Sequence, residues 1–367
     1  MRFGVFLPSA QFAGMTATAV LDATVATAVA AEEAGFDEVW VAEHHFQSYG
    51  LCPSAMTMAA HLLGVTERVV VGTAVTVLTT QHPVAVAEQA LLLEQVSRGR
   101  FRLGVGRGGP WIDLQVFGAP AGAFEVGMEE SLDLLLAALA GPTVTGRGSR
   151  FPFPTVPIMP PPRSGSGPPV LVAATSAASV DMAAARGLPL LLGMHMDDTE
   201  KAGAIARHGR GGHVGVGVAF VADTDTEAES TLRTALPRWF GPGLASYRRA
   251  DGREHRTRDP HDYAEHLIGI HPVGSPERCR ERLSATLRMT GLQRVAFLVE
   301  GAGDPERTLE NVRRLGAEVL APLRSAPGAQ VLHHAVTDQE QDDRGAQQWR
   351  EGTGGDRDQR DGHHGTG

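Results

Sequence analysis

Short continuous apolar runs alternate along the chain with longer stretches in which apolar residues recur at helical spacing. Continuous apolar runs are typical of strands buried on both faces of a parallel sheet, and the intervening stretches are typical of the crossover helices. The runs predict eight strands, at residues 2–7, 38–42, 69–73, 101–106, 170–173, 190–193, 214–222 and 294–298.

Eight strand–helix units predict a (β/α)₈ barrel with insertions, an α/β fold that closes its sheet on itself. Residues 141–169, rich in Pro, Gly and Ser, are interpreted as a surface connection within the barrel. Residues 241–262 are interpreted as an insertion that forms a mobile loop over the mouth. We assign residues 1–324 to the barrel domain and residues 325–367, which are polar, to a disordered tail.

Composition excludes several classes of function. The formal net charge is −9 and no basic tract is present, which argues against nucleic acid and anionic membranes as partners. Cys52 and Cys279 form neither a disulfide framework nor a metal-binding spacing, so we expect a reducing, cytoplasmic environment and no metal.

Polar residues follow several predicted strands, and in barrels of this type the active site lies at the strands' C-terminal ends. His44 and His45 follow the second strand, and because adjacent residues of an extended chain point to opposite sides, we expect only one to face the mouth. An imidazole there can act as acid or base; the alternative is that both histidines are structural.

Residues 175–179 open a helix and form a candidate phosphate site, because free N–H groups and hydroxyls converge at such a turn. Arg107, which follows a neighbouring strand, could supply a bidentate cation. The alternative is that Ser176 caps its helix and Arg107 pairs with a surface acid.

Several of these segments, taken in order, resemble those of bacterial luciferase-like flavin-dependent monooxygenases. The resemblance spans roughly residues 1–323. The segments that carry it are 39–46 (VWVAEHHF), 71–78 (VGTAVTVL) with Gln81-His82-Pro83, 97–108 (SRGRFRLGVGRG) and 169–179 (PVLVAATSAAS).

The resemblance implies a barrel that binds reduced FMN delivered by a separate flavin reductase. Oxygen would add at the flavin C4a to give a hydroperoxide, which transfers one oxygen atom to a small organic substrate. A tailoring step in natural-product biosynthesis would suit such an enzyme. The protein's part would be to orient the cofactor and keep water away from it.

Site residues also follow from the resemblance. His44 would be the catalytic histidine beside the flavin. The phosphate would be held by Arg107, Ser176 and Ser179 with the backbone of Thr175.

Further roles concern the flavin ring and the dimer. Ala74 and Val75 would form a non-prolyl cis peptide beneath the ring. Gly106 stands where luciferase has a cysteine beside the flavin, and its missing side chain is expected to open space there. His45 and Glu88 would lie at a homodimer interface made by the second and third helices.

Two other functions remain open on the same barrel. One is an oxidoreductase that uses the deazaflavin F420 for hydride transfer without oxygen. The other is a non-catalytic homologue that only binds flavin. A metal-dependent hydrolase is disfavoured, because no His, Cys or acidic residues have ligand spacing.

Overall fold

A computed structural model describes residues 1–120, 123–163, 165–253 and 258–325, except the side chains at 125 and 126. Residues Arg2–Pro322 form one compact unit. Most of the predicted tail lies outside the described residues, so both the tail and its boundary stay predictions. No helix in the described ranges is long and apolar enough to cross a membrane.

The strands, numbered in chain order, include all eight that the sequence predicts, with small differences at their ends. They are β1 (Arg2–Leu7), β2 (Glu38–Val41), β3 (Val70–Thr73), β4 (Thr76–Val77), β5 (Phe101–Gly106), β6 (Thr143–Arg147), β7 (Pro152–Pro157), β8 (Val170–Ala174), β9 (Leu190–Leu192), β10 (Val214–Val218), β11 (Phe220–Val221), β12 (Val273–Gly274) and β13 (Arg294–Leu298).

The helices lie between the strands as crossover connections or form the insertions. They are α1 (Ala17–Glu33), α2 (Ala55–Val65), α3 (Pro83–Val96), α4 (Ile112–Val116), α5 (Ala123–Ala140), α6 (Ala177–Ala185), α7 (Asp198–His208), α8 (Asp225–Ala245), α9 (Pro260–Ile270), α10 (Pro276–Thr290), α11 (Pro305–Arg314) and α12 (Ala321–Ser325), with a π-helical turn at Leu315–Leu320.

Eight parallel strands close into a barrel, which confirms the predicted fold class. The order around the barrel is β1, β2, β3, β5, β8, β9, β10 and β13, and β13 pairs with β1 again. The sheet closes between β3 and β5, where Val71 lies opposite Phe101 and Gly72 opposite Arg102. The strands β2, β9 and β10 are buried along their whole length, on both faces of the sheet. This burial explains why their segments carry continuous apolar runs.

Trp40 fills the middle of the barrel, and its large ring requires small residues such as Gly72 beside it. Its side chain is fully buried among Leu171, Leu191 and Ala296. The indole Nε1 donates to a carboxylate oxygen of Glu38 at 2.8 Å, and Arg294 pairs with the same carboxylate at 2.8 Å. The buried charge of Glu38 is therefore paired and hydrogen-bonded, as a charge in an apolar interior must be.

Two insertions differ from the sequence-based expectation. The connection at residues 141–169 contains an antiparallel hairpin of β6 and β7. The predicted loop at residues 241–262 is shorter than expected, because α8 continues to Ala245 despite Pro237 and Pro242, and α9 starts at Pro260. The run 214–222, expected as one strand, breaks after Val218, and β11 leaves the barrel to pair with β12.

Substitution of Gly72 tests the packing around Trp40. A methyl group at position 72 would lie 2.4 Å from the Trp40 ring, far inside van der Waals contact. We expect Gly72→Ala to lower the free energy of unfolding by about 1–3 kcal/mol, the usual cost of overpacking. Gly64→Ala, in α2 with open space around it, is the matched control and should be neutral or slightly stabilising. Equal urea midpoints for the two variants would contradict this account of the barrel interior.

Glu300, just after β13, gives a second prediction. Burial raises the pKa of its carboxyl to about 8, although backbone N–H groups of Ala10 and Ser9 donate to it. Between about pH 4.5 and 8 the folded chain therefore keeps a proton that the unfolded chain releases, so this group makes stability fall as pH rises. Glu300→Gln should gain about 1–3 kcal/mol over the parent protein between pH 5.5 and 8.5.

Chemical unfolding at the two pH values measures this difference. Glu310→Gln, exposed on α11, is the control and should follow the parent protein at both values. A parallel pH dependence for Glu300→Gln and the parent would show that Glu300 is ionised in the folded protein.

Candidate functional site

A cavity of about 470 Å³ lies at the C-terminal end of the barrel, where the strands end and the long loops begin. This volume is within the range of small-molecule sites. Its lining combines residues from strand ends with residues from the loops that follow β2, β3, β5, β8 and β9, from the α8–α9 connection and from α4 and α9. They are Phe6, Ala42, Glu43, His44, His45, Gln47, Tyr49, Ala74, Val75, Val77, Gly108, Gly109, Trp111, Asp113, Ala173, Thr175, Leu191, Leu192, Gly193, Met194, His195, Val216, Tyr247 and Tyr263.

The cavity lies between two apolar clusters that differ in character. The barrel interior contributes Ala74, Val75, Ala173 and Leu191, which are small or aliphatic and pack around Trp40. The second cluster includes aromatic residues of the loops and of α8 and α9. We call these two sides of the cavity the strand end and the loop end.

His44 borders the cavity directly after β2. Its backbone N–H donates to the carbonyl of Cys52 at 2.8 Å, and its ring meets the edge of Tyr49 with centroids 5.1 Å apart. Burial, with a smaller contribution from His45, lowers the pKa of His44 to about 4. The ring is therefore neutral near pH 7. Nδ1 is buried and lacks a hydrogen-bond partner within the described ranges.

Glu43 fixes the chain that carries His44, and sequence reasoning missed it. The buried carboxylate accepts hydrogen bonds from the backbone N–H of Ala55 at 3.3 Å, the N–H of Val77 at 3.1 Å and Nε2 of Gln81 at 3.2 Å. It therefore joins the end of β2 to the start of α2 and to β4. The one available signal was a carboxylate in an otherwise apolar run.

His45 also borders the cavity, but its ring packs against Phe117, with centroids 4.9 Å apart, and against Phe46 at 5.8 Å, and neither phenylalanine is a lining residue. The expectation that only one of the two histidines acts at the mouth stays a prediction. His45 Nε2 lies 3.4 Å from Glu43 Oε1. Glu88 is half-buried on α3, and the proposed dimer interface stays a prediction.

The Ala74–Val75 peptide bond is cis, as the resemblance implies, and both residues line the strand end. Gly106 differs from expectation. A methyl group built there would lie 2.6 Å from Cγ2 of Val75, so Val75 occupies the space that was expected to be open. Gly106 itself is not among the lining residues.

The predicted phosphate residues follow two neighbouring strands of the barrel. Thr175 follows β8 and Arg107 follows β5, and these two strands are neighbours. Thr175 lines the cavity, whereas Arg107 is exposed with its guanidinium 4.0 Å from the Phe124 ring centroid. Ser176 caps α6, and Ser179 completes the capping box by accepting the Ser176 N–H at 3.0 Å. Ser176 thus has the capping role considered as the alternative, and a role in phosphate binding stays a prediction.

The described ranges contain no group of three or more His, Cys, Asp or Glu side chains that could hold a metal ion. In the same ranges the cavity is bordered by further polar and aromatic residues that sequence reasoning missed. They are Gln47, Trp111, Asp113, His195, Tyr247 and Tyr263. All come from loops or helix starts, where periodicity carries no information.

A family model described as luciferase-like monooxygenase matches residues 1–294, about four-fifths of the chain. The chain belongs to this family. Among curated proteins it is similar to the alkanal monooxygenase alpha chain of the Kryptophanaron alfredi symbiont. The two are 28% identical over 352 residues, which cover 88% of this chain and 99% of that one.

Solved structures share the luciferase-like barrel. The monooxygenase RslO1 from Streptomyces bottropensis superimposes with a TM-score of 0.78 at 21% identity, covering 89% of this chain and 100% of that one. The oxygenating constituent of 3,6-diketocamphane monooxygenase from Pseudomonas putida, solved with FMN, has a TM-score of 0.69 at 20% identity and covers 88% and 98%. Enzymes described as F420-dependent have the same barrel.

The contact between Val75 and position 106 yields a prediction by double-mutant cycle. Gly106→Ala alone should cost about 1–3 kcal/mol because its methyl group collides with Val75. Val75→Ala removes the obstacle, so the double variant should recover part of that loss, with a coupling energy of about 1 kcal/mol. Urea unfolding of the four proteins measures it. Strictly additive losses would show that Val75 does not occupy the space at position 106.

Proposed function

We propose that this protein is an FMN-dependent monooxygenase that uses O₂ to oxidise a small organic substrate. The observation that carries the proposal is one cavity in which a neutral histidine, a small-residue wall and a helix N-terminus converge. All of these border the cavity. The histidine is His44, the small-residue wall includes Ala74 and Val75 at the strand end, and Thr175 directly precedes the N-cap of α6. Membership of the luciferase-like family supports it.

The residues present suit FMN in two respects. Ala74, Val75 and Ala173 give the strand end a low apolar surface on which a flat ring system can lie. At the rim, the N-terminus of α6 offers the partial positive charge that binds phosphate, and Arg107 is exposed beside it. We assign the phosphate to Arg107, Ser176, Ser179 and the Thr175 backbone, and the ring to Ala74 and Val75, with Gly106 supporting Val75 from behind.

Bound reduced flavin would supply the electrons that activate O₂ for transfer of one oxygen atom to the substrate. The chain's own contribution is to exclude water and to handle a proton. His44 is neutral near pH 7, so it can accept a proton from a bound molecule and return it. Because Nδ1 is buried against Gly50, the exchange would take place at Nε2.

The proposal also includes two partners and a biological context. A separate flavin reductase would supply reduced FMN, as the family resemblance implies. A homodimer through α2 and α3 is consistent with the exposed apolar side chains Val65, Leu92 and Val96 on these helices. A tailoring step in natural-product biosynthesis is the biological context that we propose.

F420-dependent hydride transfer is the second candidate, because F420-dependent enzymes share the barrel. The two candidates differ in whether oxygen is consumed and in which cofactor binds more tightly. A non-catalytic flavin binder would bind FMN but leave its reoxidation unchanged.

Anaerobic titration of the protein with reduced FMN and with F420, followed by a pulse of oxygen, tests the proposal. We expect tighter binding of FMN, and reoxidation and peroxide release slower than for free flavin. Arg107→Ala should weaken FMN binding by about 1.5–3 kcal/mol, as for a lost charge-assisted hydrogen bond. Arg313→Ala, exposed on α11, is the control. His44→Ala should bind FMN normally but lose product formation.

Preferential binding of F420 would replace this proposal with the hydride-transfer candidate. Reoxidation at the rate of free FMN would favour the non-catalytic homologue. Unchanged FMN affinity in Arg107→Ala would place the phosphate elsewhere.

A further inference from the structure

The loop end of the cavity gathers all three tyrosines of the chain. Aromatic residues make up only 5% of the sequence, yet Tyr49, Tyr247 and Tyr263 all line this one cavity, together with Trp111. Tyr247 connects the group, with ring centroids 4.7 Å from Trp111 and 6.2 Å from Tyr49. Such concentration in an aromatic-poor chain points to a ligand that rings recognise.

Two of these rings, Tyr49 and Tyr263, are backed by rings that lie outside the cavity lining. Tyr49 stacks on Trp239 at 4.6 Å and 19°, and Trp239 Nε1 donates to the Tyr49 carbonyl at 2.8 Å. Tyr263 packs against Phe240 at 4.8 Å. Trp239 covers one face of Tyr49, so a ligand can stack on the other face alone. The Tyr247 ring is tilted by 59° to both Tyr49 and Trp111, so the wall is angled, and a cationic ligand that such rings could also attract has to be among the probes.

Two separate segments hold this wall in place by pairing with each other. The backbone N–H of Ile112 donates to the Arg248 carbonyl at 2.8 Å, and the N–H of Ala250 donates to the Pro110 carbonyl at 2.9 Å. Trp111 and Tyr247 are therefore fixed relative to each other by backbone contacts and not only by their rings.

Polar groups at the loop end favour a ligand with a hydrogen-bond donor. The carboxylate of Asp113 borders the cavity and accepts from the backbone N–H of Leu114 at 2.9 Å and from its own N–H. In the described ranges no side chain donates to it, and a carboxylate has about four acceptor positions. Gln47 bonds the Tyr247 hydroxyl and adds further polarity. A plain alkyl chain would offer no donor to the remaining acceptor positions of Asp113.

The geometry points to an aromatic substrate with a free hydroxyl, such as a phenol or a hydroxyquinone, whose ring lies against Tyr49, Trp111 and Tyr247. Its hydroxyl group donates to Asp113. This inference rests on the proposed function for what happens to the substrate, but not for the binding itself. The strand end then receives the flavin, and the aromatic ring lies at the loop end of the same cavity.

Binding without flavin tests the inference independently of any oxygenation. The probes are 2-naphthol and its methyl ether 2-methoxynaphthalene, which share a shape and differ in the donor. Decanal and hexyltrimethylammonium represent straight-chain and cationic ligands. Calorimetric or fluorescence titration gives the dissociation constants for the full chain.

We expect 2-naphthol to bind about tenfold more tightly than its methyl ether, the worth of a hydrogen bond to a charged group. In Asp113→Ala this ratio should fall to near one, and because both probes meet the same fold, a structural effect of the substitution cancels. Asp22→Ala, exposed on α1, should keep the tenfold ratio.

The aromatic wall has a test of its own. Tyr247→Leu should raise the dissociation constants of both probes about three- to tenfold, as for a lost aromatic pair, whereas Tyr247→Phe should leave them unchanged. Phe117→Leu, exposed and outside the lining, is the aromatic control.

Tighter binding of decanal or hexyltrimethylammonium than of 2-naphthol would overturn the inference. A ratio that stays at tenfold in Asp113→Ala would also overturn it, because the carboxylate would then act only within α4. Supply of reduced FMN and O₂ is a separate step. Specific binding of 2-naphthol together with flavin reoxidation at the rate of free FMN would count against the proposed oxygenase. The inferred aromatic site would still stand.

Discussion

Closure of the sheet between β3 and β5 is the constraint on which the rest of the molecule depends. Closed parallel strands all end at the same mouth, so residues far apart in sequence meet there. Closure also forces the interior to be filled, and Trp40 does this only because Gly72 leaves room for its ring. A Cβ at Gly104 would likewise meet the Thr73 carbonyl. The large Trp40 side chain therefore fits in the barrel centre only together with glycine on the adjacent strand.

The mouth is organised by one buried carboxylate. A charge in an apolar setting is costly unless several donors surround it, and Glu43 is surrounded by two backbone N–H groups and Gln81, with His45 at 3.4 Å. These donors come from α2, β4 and the loop that follows it, so the carboxylate sets where each begins relative to β2. His44 is the next residue, and its buried, neutral state follows from the position that Glu43 gives it.

Sequence predicted the parts of this structure that repeat and missed the parts that occur once. The barrel strands follow from continuous apolar runs, because strands buried on both faces need apolar residues at successive positions. The roles of His44, Ala74 and Val75 came from the family resemblance. Glu43, Trp111 and Tyr247 could not be found, because their significance depends on contacts across long separations. Val75 explains the wrong expectation at Gly106, since a glycine shows that a side chain is missing but not what fills its place.

The two ends of the cavity arise from different physical sources, and this limits how the protein can change its chemistry. The strand end is built into the barrel, where Ala74, Val75 and Ala173 pack against the cluster that contains Trp40. The loop end lies on two segments whose backbones hydrogen-bond each other, at residues 110–112 and 248–250. A substitution in one segment shifts its partner, so the aromatic wall changes as a unit. The proposed flavin site at the strand end can therefore stay constant while the loops that carry Trp111 and Tyr247 vary with the proposed substrate.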